Sequence, residues 1–206
     1  MTAPTIAEML KYANLQIAAE AIYEFNAKET PNQDPGSLTD FEIGHSKTLT
    51  TEILTGGNEH ATRFTETEAE KFVQDWIVVD HISNTTTGFS GTLFQDRKTN
   101  EYALSFRSTE FIDDTARDCV ATNAMEIKEF GWAFGQIDDM EAWYASLKQR
   151  NLLPADAHYS VTGYSLGGHL ATAFNLLRQE EGTLGNVDRV VTFNGAGNNA
   201  TWSQAA

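Results

Sequence analysis

The sequence predicts an α/β fold, in which a mixed, mostly parallel sheet carries helices on its faces. Three observations predict it. Toward the carboxyl end, β-branched and aromatic stretches alternate with helical ones, a succession that gives parallel strands with crossover helices. His158–Thr162 reads as a strand and Leu170–Arg178 as a helix, joined by a glycine-framed turn. The composition, 41% hydrophobic and 21% charged over 206 residues, suits one domain with a substantial core, so residues 1–206 are read as a single unit.

The elements follow in order. Residues 3–27 begin with Thr5-Ile-Ala-Glu8, a capping-box pattern, and place Ile6, Leu10, Ala13, Ile17 and Ile22 near helical spacing. This predicts a helix that packs by that stripe on a sheet. The Pro, Gly and Asn content of residues 28–40 marks a loop, and 41–64 are ambiguous apart from a turn at Gly56-Gly57. Thr65-Glu-Thr-Glu68 is a second capping box, opening a helix to about Gln74. Trp76–Ile82 reads as a strand, and Phe89–Phe94 with Tyr102–Phe106 as a hairpin across the polar turn Asp96–Asn100. Residues 110–131 are acidic and irregular. Ile137–Arg150 reads as a helix with acids in its first turn and bases in its last, matching the helix dipole. Val187–Phe193 is the last strand, followed by a Gly/Asn/Ala-rich tail.

Charge narrows the function classes. Fourteen basic residues against 29 acidic ones give −15, which repels nucleic-acid phosphates and disfavours anionic membranes. The single Cys119 cannot form an intramolecular disulfide. Neither a Cys/His zinc pattern nor an EF-hand loop occurs, so no cofactor or metal is called for. No stretch approaches the roughly 20 apolar residues of a membrane span. The amino end lacks the basic start and apolar run of a cleaved signal.

The chemistry centres on Gly163-Tyr164-Ser165-Leu166-Gly167, a Gly-x-Ser-x-Gly pattern. Strand, tight glycine turn and helix is the setting in which this pattern forms a nucleophile elbow, with the serine thrust into the open on a strained backbone. The helix behind it aims unpaired N–H groups at any negative charge that develops. Acyl transfer needs two such donors. One is the N–H of Leu166, just after the nucleophile; Thr109, in the Arg107-Ser-Thr-Glu110 turn after a strand, is the candidate for the second.

These motifs resemble those of the class 3 lipases. Ser105-Phe-Arg-Ser-Thr109 is similar to the family's "F-R-G-[ST]" block, and Gly163–Ala171 to its "G-H-S-L-G-G-x-L-A". Val190–Asn194 resembles the strand after the elbow helix, and the likeness spans about 70–197, closest to bacterial members often fused to long carboxy-terminal repeats. Two positions depart from the pattern: Ser108 stands for a glycine and Tyr164 for a histidine. The resemblance implies an α/β-hydrolase fold and hydrolysis of acylglycerols and related lipid esters. It further implies Ser165 as nucleophile and Leu166 and Thr109 as oxyanion N–H donors. Asp118, eleven residues after Arg107, then forms a structural ion pair, and 110–117 coincides with the lid of fungal members. Secretion without a cleaved signal is implied as well, with a cytoplasmic location as the alternative.

A serine of this kind needs a base and an orienting acid, in the order Ser, acid, His. Only His169 follows Ser165, and helix geometry carries it away from the elbow, which predicts a structural role. Asp188 opens a strand at its far end, and His45, His60, His81 and His158 lack a motif. The expectation is therefore that base and acid lie beyond residue 206, in further chain or in a second polypeptide. The leading function is a triacylglycerol-type lipase acting through an acyl-enzyme. The alternatives are a phospholipase A1 and an inert lipid-binding fragment.

Overall fold

The strand segments carry apolar side chains on both faces, so they bury them only when helices cover the sheet from both sides. The computed structural model has this arrangement, and it describes residues 5–21, 49–58, 63–82, 85–108, 125–129 and 131–195. The elements are α1 (Ile6–Ala19), α2 (Thr51–Gly56), α3 (Glu66–Asp75), β1 (Trp76–Ile82), β2 (Gly91–Asp96), β3 (Tyr102–Phe106), α4 (Phe134–Gln149), β4 (Tyr159–Tyr164), α5 (Leu166–Glu180) and β5 (Val187–Phe193). A helical turn occupies 125–129, and a 3-10 turn, Leu184–Asn186, leads into β5.

Among the described residues the sheet has five strands in the order β1-β2-β3-β4-β5. The expected predominance of parallel pairs does not hold: β1-β2 and β2-β3 are antiparallel, while β3-β4 and β4-β5 are parallel. Connection length decides this. The short β2–β3 turn can only reverse the chain, and Asp96 closes it by accepting from the N–H groups of Lys98 (2.7 Å) and Thr99 (2.9 Å). The segments holding α4 and α5 are long enough to return the chain to the same end of the sheet.

Alternate residues of the strands feed two cores. Val78, Phe94, Ala103 and Val191 meet α1, α2 and α3 on one face. Leu93, Leu104, Phe106, Tyr159 and Val161 meet α4 and α5 on the other. Phe72, Trp76 and Phe94 form an aromatic group in the first, with rings edge-on at 5.7 Å between Phe72 and Phe94. Asp80 is buried in β1; it accepts from the Trp143 indole N–H at 2.9 Å and pairs with Arg150 at 2.8 Å, tying α4 to the sheet.

Both predicted capping boxes form, at Thr5/Glu8 and Thr65/Glu68. The buried face of α1, however, is Tyr12, Leu15, Gln16, Ala18 and Ala19, with Ile6 89% and Leu10 59% exposed. Small residues near the carboxyl end let the helix approach the sheet there, and the Tyr12 hydroxyl bonds Ser160 Oγ at 3.0 Å. Helix α4 begins three residues before the expected start, at Phe134, so Asp138 and Asp139 leave its first turn. Asp139 instead accepts from Thr85 and Thr87 Oγ, both at 2.6 Å, which staples the 85–90 loop. The expected loop at 28–40 and the acidic stretch 110–124 lie outside the described residues.

Two predictions follow from this packing. Removing the Asp80 carboxylate strands a buried indole N–H and a guanidinium, so Asp80→Ala should cost about 3 kcal/mol in urea unfolding. At Glu68, hydrogen bonds from the Thr65 backbone and hydroxyl hold the carboxyl below the ordinary glutamate value. A depressed folded-state value means the contribution is present above the unfolded value and lost as pH falls through the folded one. An NMR titration should therefore place the Glu68 midpoint below that of an unstructured glutamate, with loss of the amino-terminal turn of α3 following it.

Candidate active site

Strand β4 ends at Tyr164 and helix α5 begins at Leu166, so a single residue makes the whole reversal. That residue is Ser165, at φ 49° and ψ −115°. Positive φ is costly for a residue with a Cβ, and such strain persists only where the surroundings impose it. Here the Ser165 N–H donates to Phe193 O at 3.0 Å, and Ser165 O accepts from the His169 N–H at 3.1 Å. One bond fixes the turn to β5 and the other starts the helix. Ser165 is half-buried, with Tyr164 38% exposed beside it.

The glycines of the motif are required by distance. A Cβ on Gly163 would lie 2.3 Å from the Gly167 carbonyl, and one on Gly167 only 2.2 Å from Phe106 O and 2.9 Å from Arg107 O. The first turn of α5 thus sits directly against the chain leaving β3. Helix α5 also starts earlier than the expected Leu170, because the glycine turn itself is helical. By helix geometry the N–H groups of Leu166, Gly167 and Gly168 have no intrahelical partner, and they gather at the Ser165 end. Leu166, placed first in that turn, has a buried side chain. Thr109 lies outside the described residues, as do Asp118 and the 110–117 segment.

The chain just before Thr109 is held by a group that no motif marks. The Glu20 carboxylate, 4% exposed, accepts from Ser108 N–H at 3.0 Å and from Ser108 Oγ at 2.8 Å. Gln16 Nε2 also donates to it, at 3.1 Å. The sequence signal was faint: an acid closing a helix among Ala18, Ala19 and Ala21.

The described histidines are engaged elsewhere. His169 is buried, its Nε2 accepting from the Ala133 N–H at 3.4 Å and its ring 5.2 Å from that of Trp132. Accepting at Nε2 requires the neutral ring with its proton on Nδ1. His81 is buried in β1, bonded to Thr92 Oγ1 at 2.8 Å across the strand pair. His158 and Asp188 form an exposed pair at 2.8 Å. They sit at the start of β4 and β5, and Ser165 follows the end of β4, a strand length of roughly 20 Å away.

No family model matches the chain, and no curated protein matches it. Among solved structures the chain is similar to a lipase from Rhizopus microsporus var. chinensis, with 16% identity and a TM-score of 0.44, over 98% of this chain and 63% of that one. It therefore spans less than two thirds of that lipase's length.

The close approach at Gly167 yields a stability test. Gly167→Ala must displace the backbone of β3, and should cost about 3 kcal/mol or more in chemical unfolding. At Gly182, φ is 71° with open space around the missing Cβ, so Gly182→Ala should cost only about 1–2 kcal/mol.

Proposed function

We propose that this protein is a serine carboxylic-ester hydrolase of lipase type, with Ser165 as its nucleophile. The observation that carries the reading is the backbone of Ser165, strained at positive φ between β4 and the open amino end of α5. A structural turn has no use for a strained serine where glycine or asparagine would be easier. An elbow does, because the strain lifts Oγ out of the sheet while the helix N–H groups stay in reach.

In this mechanism Ser165 Oγ adds to the ester carbonyl carbon as its proton passes to a base. The carbonyl oxygen becomes an oxyanion, stabilised by the N–H groups of Leu166 and Thr109. Collapse expels the alcohol, which takes the proton, and leaves an acyl-serine. Water, deprotonated by the same base, then releases the carboxylic acid. With His81, His158 and His169 engaged away from Ser165, the base and its acid are assigned to residues outside those described. The substrate class is a lipid ester, triacylglycerol first and phospholipid second. Release of fatty acid from triolein, against lysophospholipid from phosphatidylcholine, separates the two.

Intact-mass spectrometry after incubation with a fluorophosphonate tests the assignment. The expected result is one phosphonyl adduct on the native protein and none on Ser165→Ala, with kcat toward a short-chain ester reduced about 10⁴-fold or more in the variant. An adduct that survives Ser165→Ala would overturn it.

A further inference from the structure

Glu20 is an expensive residue in its place. It closes α1, where the negative end of the helix dipole opposes an acid, and it is almost fully buried. Such a group persists when donors satisfy it, and Ser108 supplies two, one from its backbone and one from its side chain. Ser108 follows Arg107, whose carbonyl faces Gly167 in the first turn of α5. The carboxylate thus grips the chain leaving β3 at the point where that chain passes the nucleophile turn.

We infer that Glu20 is a positioning residue for the nucleophile turn: its carboxylate, held by α1, clamps Ser108 and so fixes the strand-end backbone against which the first turn of α5 packs. The inference rests on the serine-hydrolase reading of Ser165. It also accounts for the serine at 108. A glycine there would offer only its N–H, and the hydroxyl adds a second bond that locks the peptide's orientation. The carboxylate is matched to this task because it presents an acceptor oxygen to each donor. A glutamine can keep both bonds, its oxygen accepting from the N–H and its NH2 donating to the hydroxyl, whereas a leucine of similar size keeps neither.

The test compares fluorophosphonate labelling rates and ester kinetics for the native chain, Glu20→Leu, Glu20→Gln and Ser108→Ala. Leu15→Ala, which removes a buried side chain of α1 facing the core, controls for lost stability. Glu20→Leu should slow labelling and lower kcat about tenfold or more with KM little changed, because misalignment of the turn and its N–H donors acts in the transition state. Glu20→Gln, which can keep both bonds, should stay within about threefold of the native labelling rate. Leu15→Ala should lower the melting temperature and leave the labelling rate at the native value. Labelling of Glu20→Leu at the native rate, or an equal loss in Glu20→Leu and Glu20→Gln, would overturn the inference. Should Glu20→Leu not fold, Ser108→Ala carries the test: an unchanged labelling rate there refutes the clamp. A native protein whose Ser165 takes no label refutes the hydrolase reading itself, and the positioning role with it.

Discussion

The carboxyl end of the sheet depends on one backbone-to-backbone contact. Gly163, Gly167 and the Phe106 carbonyl approach so closely that none has room for a side chain between them. That contact draws the first turn of α5 against the ends of β3 and β4 and forces Ser165 to positive φ. The bond from Ser165 N–H to Phe193 O then ties β5 into the same corner. Strain at one residue is sustained because three strands and a helix would have to separate to relieve it.

The opposite end of the sheet shows what the same sequence does without that constraint. His158 and Asp188 meet there in solvent, joined by a single hydrogen bond. A histidine beside an aspartate is the chemistry an acyl-transfer site uses, yet strand direction separates this pair from Ser165 by the length of β4. Their pairing follows from the register of β4 and β5, whose first residues lie side by side in parallel strands. Topology assigns the two ends different roles, since ligands in such sheets gather at the carboxyl ends of strands.

Much of the fold was legible in the sequence because local signals and tertiary demands agree. Both capping boxes, the bounds of β1 and β5 and the β3 segment follow from side-chain chemistry over a few residues. The buried face of α1 was not legible. Ile6 and Leu10 are better hydrophobes than Ala18 and Ala19, but only the small residues allow the close approach the sheet requires. The mixed strand directions were likewise set by the lengths of the connections. At the candidate site, the strand–turn–helix setting of Ser165 and Leu166 was readable from glycine spacing. Glu20 was not, since a bond across 88 positions of sequence leaves no local pattern.

The direction of the chain after β5 bears on how such a site is completed. Phe193 accepts from the Ser165 N–H, Asn194 turns at φ 46°, and Gly195 passes against Gly168 in the first turn of α5. The chain therefore leaves β5 at the Ser165 end of the sheet. β5 is the outermost strand on that side among the described residues, with Val187, Val190 and Phe193 only partly buried. The contact that strains Ser165 thus also sets where the chain stands as it leaves the sheet, beside the first turn of α5.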